Sequence, residues 1–282
     1  MYGGSIVSSP RSTQAMADYL VENNPGGAWI SPAGYRPARR ELVDMVDEYA
    51  GTIARIADVG CGDGQLTAAL AEEYDAQVLA LDVSPASCRE TRERTQAYGN
   101  GEDTHVLCAD MNRQPWDGIQ FDVVLAANSV QDTEDPAETV DNLYGMVRDG
   151  GELIVTVPGE GAMDHLPDHW FEQTKVYTEG EEFGMYYMDP EVDRDRFPAG
   201  KKADVEEWGQ YIFPAGEARR LFRAAGFQDV QRSELTADAR GITTVASMIG
   251  DRKMWGESLA LRAAQRVNLD IGPKTDVYRL RK

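Results

Sequence analysis

Lysine is scarce: only 6 of the 28 basic residues are lysine and the other 22 are arginine. Cysteine is scarcer still, and Cys61, Cys88 and Cys108 stand alone with no CxxC among them. Three isolated thiols fit a reducing compartment better than a disulfide framework. With only His105, His165 and His169, no metal-ligand spacing is present, and no metal is expected. No apolar run approaches the ~18 residues of a membrane span. The opening MYGGSIVSSPRST lacks the charged-then-apolar layout of a signal peptide, so the expected location is the cytoplasm, with no membrane partner. Positive charge is also short. Against 48 acidic residues the net charge is −20, a field that repels phosphate backbones and excludes nucleic acid as an expected partner. An acidic, lysine-poor surface is the kind that stays hydrated in concentrated salt, so a high-salt cytoplasm, that of an extreme halophile, is expected.

Glycine is placed where it matters. In IADVGCGDGQL, residues 56 to 66, an apolar run ends at Gly60, Gly62 and Gly64, and a helical pattern follows from Gln65 to Glu73. That reads as a buried parallel strand, a tight turn and a helix whose free N–H groups face an electron-rich ligand. A dinucleotide fingerprint needs G-x-G-x-x-G, and Gln65 stands at its third glycine. Two carboxylates flank the turn: Asp58 before it, and Asp82 at the end of VLALD, about 20 residues on, where ribose hydroxyls are gripped.

Asp58-Val59-Gly60-Cys61-Gly62-Asp63-Gly64 resembles the first motif, (D/E)-x-G-x-G-x-G, of the class I S-adenosylmethionine-dependent methyltransferases. The resemblance continues through CAD at 108 to 110, FDVVLAANSVQD at 121 to 132 and RDGGELIVTVP at 148 to 158, and covers residues ~36 to 250. It implies an α/β fold: a Rossmann-like, seven-stranded, mostly parallel sheet with helices on both faces, here with an aromatic-rich lid insertion after strand five. It implies S-adenosylmethionine as cofactor, held by Asp58, Gly60, Cys61, Gly62, Gln65, Asp82, Val83 and Asn128. Asp110 would accept a hydrogen bond from the adenine amine, with Met111 against the ring, and Arg36 or Tyr35 would reach the methionine carboxylate. Cys61 inside the turn reads as a small filler rather than a reactive thiol. No proline or aromatic follows Asn128, which argues against the chemistry of the (N/D)-P-P-(Y/F) members. Where many small-molecule members carry a histidine, this chain has Gln131-Asp132.

Five segments are expected: an N-terminal arm (1–35) with a short helix near 12 to 22, the cofactor-binding core (36–158), the lid (159–213), the end of the sheet (214–250) and a basic extension (251–282). Helices are expected over 37 to 49, 84 to 98, 136 to 147, 213 to 227 and 253 to 267. Strand six is placed at Phe227 to Leu235 and strand seven at Ile242 to Ile249, as the antiparallel edge. The lid holds 10 of the chain's 24 aromatics and 14 acidic against 5 basic residues, with little periodicity. A loop this long in a compact domain is either functional or has structure of its own. The extension reverses the charge sign, 8 basic against 4 acidic, and would dock on the acidic body or on a second subunit.

The expected activity is methyl transfer to an O, N or C nucleophile of a small acceptor, neutral or cationic and partly aromatic or apolar. His165, His169 and Asp132 are the candidate bases. The rivals are a protein that binds the cofactor without catalysis and a nicotinamide-dependent oxidoreductase. Gln65 in place of the third glycine counts against the latter.

Overall fold

The computed structural model describes residues 32–98, 102–113, 118–133, 135–159, 173–175, 184–187, 209–213, 215–235 and 275–282. The helices expected near 12 to 22 and 253 to 267, the strand expected at 242 to 249, and His165 and His169 lie outside the described residues.

The core is a seven-stranded sheet in the order β3-β2-β1-β4-β5-β10-β9. Its strands are β1 (Arg55–Val59), β2 (Gln77–Asp82), β3 (Thr104–Cys108), β4 (Phe121–Ala127), β5 (Val147–Pro158), β9 (Asp229–Glu234) and β10 (Thr275–Arg281). All pairings are parallel except those of β10, which runs antiparallel to both β5 and β9. β1 and β4 are central and buried on both sides, which is why they read as nearly unbroken apolar runs. Alternation decides the layers: Val123 and Leu125 join one core, Val124 and Ala126 the other. The first core is completed by Leu42 and Val46 of α1 (Pro32–Asp47) and by Leu66 and Leu70 of α2 (Gln65–Glu73). The second is completed by Val140, Leu143 and Met146 of α4 (Pro136–Met146) and by Ala218 and Phe222 of α5 (Ala215–Ala225). α3 (Pro85–Tyr98) lies against α2 and β3.

Local chemistry sets the ends. The Ser84 hydroxyl accepts the Ser87 N–H at 3.0 Å to start α3, and the Asp135 carboxylate accepts the N–H groups of Ala137 and Glu138 to start α4. At the edge opposite the glycine turn, Asp122 accepts the N–H groups of Ala54 and Arg55, both at 2.8 Å, and pairs with Arg148. Burial alone would push this carboxyl up, but those donors together hold it below its ordinary value.

The seventh strand differs from the sequence expectation: it is Thr275–Arg281, inserted between β5 and β9, so the sheet's edge is β9. The tail of the basic extension is therefore core. Tyr278 and Leu280 are fully buried on one face, and Val277 is buried on the other. Its charges are matched across the sheet: Glu152 bonds Arg279 at 2.6 Å and Arg281 at 2.8 Å, and Glu48, just past the end of α1, takes the other side of Arg279. Lys282 lies over the Tyr144 ring, 4.3 Å from its centroid.

Residues 159 to 213 leave from the end of β5 and come back beside it, for Gly159 bridges Phe213 in parallel. Within them lies a three-stranded antiparallel sheet of β6 (Gln173–Lys175), β7 (Gly184–Tyr187) and β8 (Gly209–Ile212). These strands are only three or four residues long. The return point is anchored by Phe213, fully buried in the core.

Candidate functional site

The site is the C-terminal edge of β1, β2, β3 and β4, where the first strand turns into α2. Gly60 takes φ +77°, and nothing larger fits there: an added Cβ would come within 2.2 Å of the Ser129 Cβ. Gly62 is different. At φ +54° its missing side chain faces open space, with no atom within 4 Å, so a ligand can lie directly on its backbone. The turn is fastened by Gly60 and Cys61 N–H groups donating to the Leu81 carbonyl at 2.7 and 3.0 Å. α2 begins after Gly64, whose lack of a side chain leaves the capping to its neighbours: the Asp63 carboxylate accepts the Gln65 N–H at 3.4 Å, and the Asp58 carboxylate accepts from the Thr67 backbone.

Asp82 closes the turn from β2. One carboxylate oxygen accepts the Gly62 N–H and the other the Ser84 N–H, both at 2.9 Å. Buried but bonded to backbone donors, it places negative charge beside the open face of Gly62. Val83 follows, half-buried. Asp110 at the end of β3 accepts the Asn112 N–H at 2.9 Å and pairs with Arg113, which folds Met111–Arg113 into a single 3₁₀ turn. The Met111 side chain comes within 3.5 Å of the Cβ position of Gly60, so Met111 and the glycine turn line one recess. From α4, Asn142 donates to the Met111 carbonyl at 3.1 Å, fixing that wall.

The fourth wall follows β4. Asn128 sits at φ +52°, a left-handed conformation rare outside glycine, with its N–H held by the Thr156 hydroxyl and carbonyl. Ser129 donates to the Val59 carbonyl at 2.8 Å, tying β4 to the glycine turn. Val130–Asp132 then form a second 3₁₀ turn, in which Gln131 is buried and Asp132 half-buried.

Gly60, Gly62, Gln65, Asp82, Val83, Asp110, Met111, Asn128 and Asp132 thus come together at one edge. Two expected contact residues face elsewhere. Asp58 is 1 % exposed, and its carboxylate accepts the Thr67 hydroxyl at 2.6 Å, so it braces β1 to α2 beneath the turn. Burial pushes it up to about 7, opposed by Thr67 and reinforced by Asp82. The Cys61 thiol points at Thr91 of α3, 3.5 Å away, and burial raises it well above the usual thiol value, which makes it an inert filler. The backbone of Arg36 lies in α1. Supporting residues that carry no signal in sequence are Thr67, Thr91, Arg94 and Ser129. Arg94 braces the turn by donating to the Asp63 carbonyl at 2.7 Å and pairing with its carboxylate. Such bracing joins residues from 9 to 70 positions apart, which no local pattern reveals.

Among the described residues no cluster of His, Cys, Asp or Glu could hold a metal ion, and no helix is long and apolar enough to cross a membrane.

Comparison with known proteins agrees with this geometry. Residues 57–153 match the family model described as a methyltransferase domain. Chloroplastic tocopherol O-methyltransferase of Arabidopsis thaliana is 25 % identical over 181 residues, covering 54 % of this chain and 52 % of its own length. The chain thus spans about half the length of that curated relative. Among solved structures, the [4+2]-cyclase SpnF superposes with a TM-score of 0.62 at 19 % identity, covering 100 % of this chain and 99 % of that one. Haemonchus contortus phosphoethanolamine N-methyltransferase 2, solved with phosphomonomethylethanolamine and S-adenosylhomocysteine, follows at 0.61 and 14 % identity, covering 98 % of this chain and 61 % of that one. These likenesses show the fold, and the family match covers the segment that builds the site. The segment that builds the site is thus similar to the methyltransferase domain family.

Proposed function

We propose that the chain moves a methyl group from S-adenosylmethionine to an O, N or C nucleophile of a small acceptor held under residues 159 to 213. The observation that carries this reading is the open face of Gly62 beside the Asp82 carboxylate, at the turn from β1 into α2. Asp82 would accept hydrogen bonds from the ribose hydroxyls, Asp110 from the adenine amine, and Met111 would cover the ring. Arg36 would meet the methionine carboxylate, and Asn128 would line the methyl end. When bound, the cofactor supplies a methyl group already activated by a positive sulfur. The chain's own work is then alignment and exclusion of water, worth up to ~7 to 11 kcal/mol. Asp132, at the methyl end, or His165 or His169 of the insertion would take a proton where the acceptor arrives protonated, contributing ~10² to 10⁴ in rate.

The insertion has 14 acidic against 5 basic residues, which disfavours an anionic acceptor and favours a neutral or cationic one, while its aromatics suit a planar or apolar body. The acidic surface belongs with a high-salt cytoplasm, and pairing of two copies into a homodimer is the assembly expected.

A second reading, cofactor binding without methyl transfer, is favoured by one finding: a protein described as a [4+2]-cyclase shares the fold over its whole length. Calorimetry with S-adenosylmethionine, S-adenosylhomocysteine and nicotinamide dinucleotides, followed by transfer of labelled methyl groups into extracts of the source cells, separates these readings. Micromolar binding of both methionine derivatives with labelling of a small molecule supports methyl transfer. Binding without any labelled product supports the second reading, and tight dinucleotide binding alone refutes both.

A further inference from the structure

Gln131 stands in the middle of the Val130–Asp132 turn, 4 % exposed, and its side-chain oxygen Oε1 is buried without a hydrogen-bond partner. A buried amide oxygen with no donor is unfavourable, and folded proteins rarely keep one without a use for it. The other such atom among the described residues, Arg279 Nη2, belongs to a guanidinium already bonded to Glu48 and Glu152, within the ion pairs that seat β10. Gln131 has no comparable explanation.

The turn cannot relieve the oxygen by shifting its backbone. Asp132 N–H donates to the Ser129 carbonyl at 3.2 Å, and the Thr133 N–H and hydroxyl both donate to the Val130 carbonyl, at 3.3 and 2.8 Å. Ser129 in turn is tied to Val59, and Asn128 is held in its left-handed conformation by Thr156. The turn is packed against β5, α4 and β8, so Gln131 stands just past the end of β4, one residue before Asp132 and next to a strand of the insertion.

We infer that Gln131 is a positioning residue for the methyl acceptor: its Oε1 accepts a hydrogen bond from the O–H or N–H of the attacking group. This rests on the methyl-transfer reading above. The terminal amide torsion is soft, so Oε1 turns to meet a donor arriving next to β8 without disturbing the turn. An amide oxygen is too weak a base to take the proton. It orients the nucleophile's lone pair and selects acceptors that carry a donor at the reacting atom. As the nucleophile–methyl bond forms, the methyl–sulfur bond breaks and its electron pair returns to sulfur, while the nucleophile's proton leaves to a separate base or to water. The orphan oxygen destabilises the fold, and a fitting acceptor removes that penalty.

Two variants of the full chain test this, Gln131→Met, similar in length without an acceptor atom, and Gln131→Glu, which keeps one. Three quantities are measured: the melting temperature without ligand, S-adenosylhomocysteine affinity by calorimetry, and labelled methyl transfer to a panel of phenols, alcohols, carboxylic acids and primary amines. Gln131→Met is expected to melt above the parent, to bind S-adenosylhomocysteine as the parent does, and to lose roughly tenfold or more in kcat/KM. Gln131→Glu is expected to recover turnover of amines. A Gln131→Met protein that melts below the parent would show that Oε1 has a partner within the chain, and the inference falls. It falls also if turnover is unchanged, if S-adenosylhomocysteine affinity drops with it, or if the parent methylates nothing with an O–H or N–H donor. A parent that fails to bind S-adenosylhomocysteine brings down the methyl-transfer reading itself, whereas a parent that binds and methylates beside an unaffected variant removes only the role of Gln131.

Discussion

Asp58→Asn separates bracing of the glycine turn from contact with the cofactor, through the pH dependence of stability. Burial moves the Asp58 carboxyl from 3.8 to about 7 in the folded protein, while in the unfolded chain it titrates near 3.8. Between about pH 4 and pH 7 the folded state keeps a proton that the unfolded state has released, so stability falls as pH rises across that window. Below about pH 4 both states are protonated and the cost is absent, and above about pH 7 it is complete. A gap of about 3 pH units at ~1.4 kcal/mol each gives about 4 kcal/mol. Asparagine keeps an oxygen for the Thr67 hydroxyl but cannot ionise, so the variant escapes this cost. Urea unfolding of both proteins at fixed high salt from pH 4 to pH 8.5 reads the difference directly, because the titration of every other carboxylate largely cancels. At pH 4 the two should agree within about 1 kcal/mol. By pH 8.5 Asp58→Asn should be the more stable, by up to about 4 kcal/mol, with S-adenosylhomocysteine affinity retained. Parallel stability curves, or a variant that folds well and has lost the cofactor, would refute the assignment of Asp58 as a buried brace.

Gly62→Val should melt within a few degrees of the parent, since only its backbone angle is strained, yet lose S-adenosylhomocysteine binding in calorimetry. Gly60→Ala, which drives a methyl group into Ser129, should instead lower the melting temperature sharply. Asp82→Ala should weaken cofactor binding by ~1 to 3 kcal/mol, because it removes the charged acceptor beside the recess and frees the N–H groups of Gly62 and Ser84. Lowering salt from molar to ~0.1 M should lower the melting temperature, as self-repulsion among 48 acidic residues loses its screening, and a flat or rising profile would count against adaptation to salt. Replacing residues 160 to 212 by a short Gly/Ser linker is geometrically feasible because Gly159 already meets Phe213. Cofactor affinity should survive and methyl transfer should stop, and in the intact chain loss of a base at His165 or His169 would remove the rising limb of the rate–pH profile.

The strand, turn and helix of residues 56 to 73 were legible in the sequence because each is decided locally. A buried strand needs an apolar run, a left-handed turn needs glycine, and a ligand lying on backbone needs the absence of side chains. The helices expected from 84 and from 136 are local in the same sense, each opened in the structure by a side-chain cap, Ser84 and Asp135. The seventh strand was not. Ile242 to Ile249 has the apolar look of a strand, whereas Thr275–Arg281 carries Asp276, Arg279 and Arg281, and charge argues against a central strand. Only the assembled sheet supplies Arg232, at 2.7 Å, for the fully buried Asp276, and Glu152 for the two arginines. The same holds within the site. That Asp82 faces the recess while Asp58 turns beneath it is decided by which face of its strand each occupies and by what the packed helix offers there. For Asp58 that is Thr67, nine residues along the chain and reached only when α2 lies down on β1. Gln131 is the extreme case, since a polar residue in a turn is unremarkable in sequence, and only packing by β5, α4 and β8 makes its oxygen a buried acceptor without a donor.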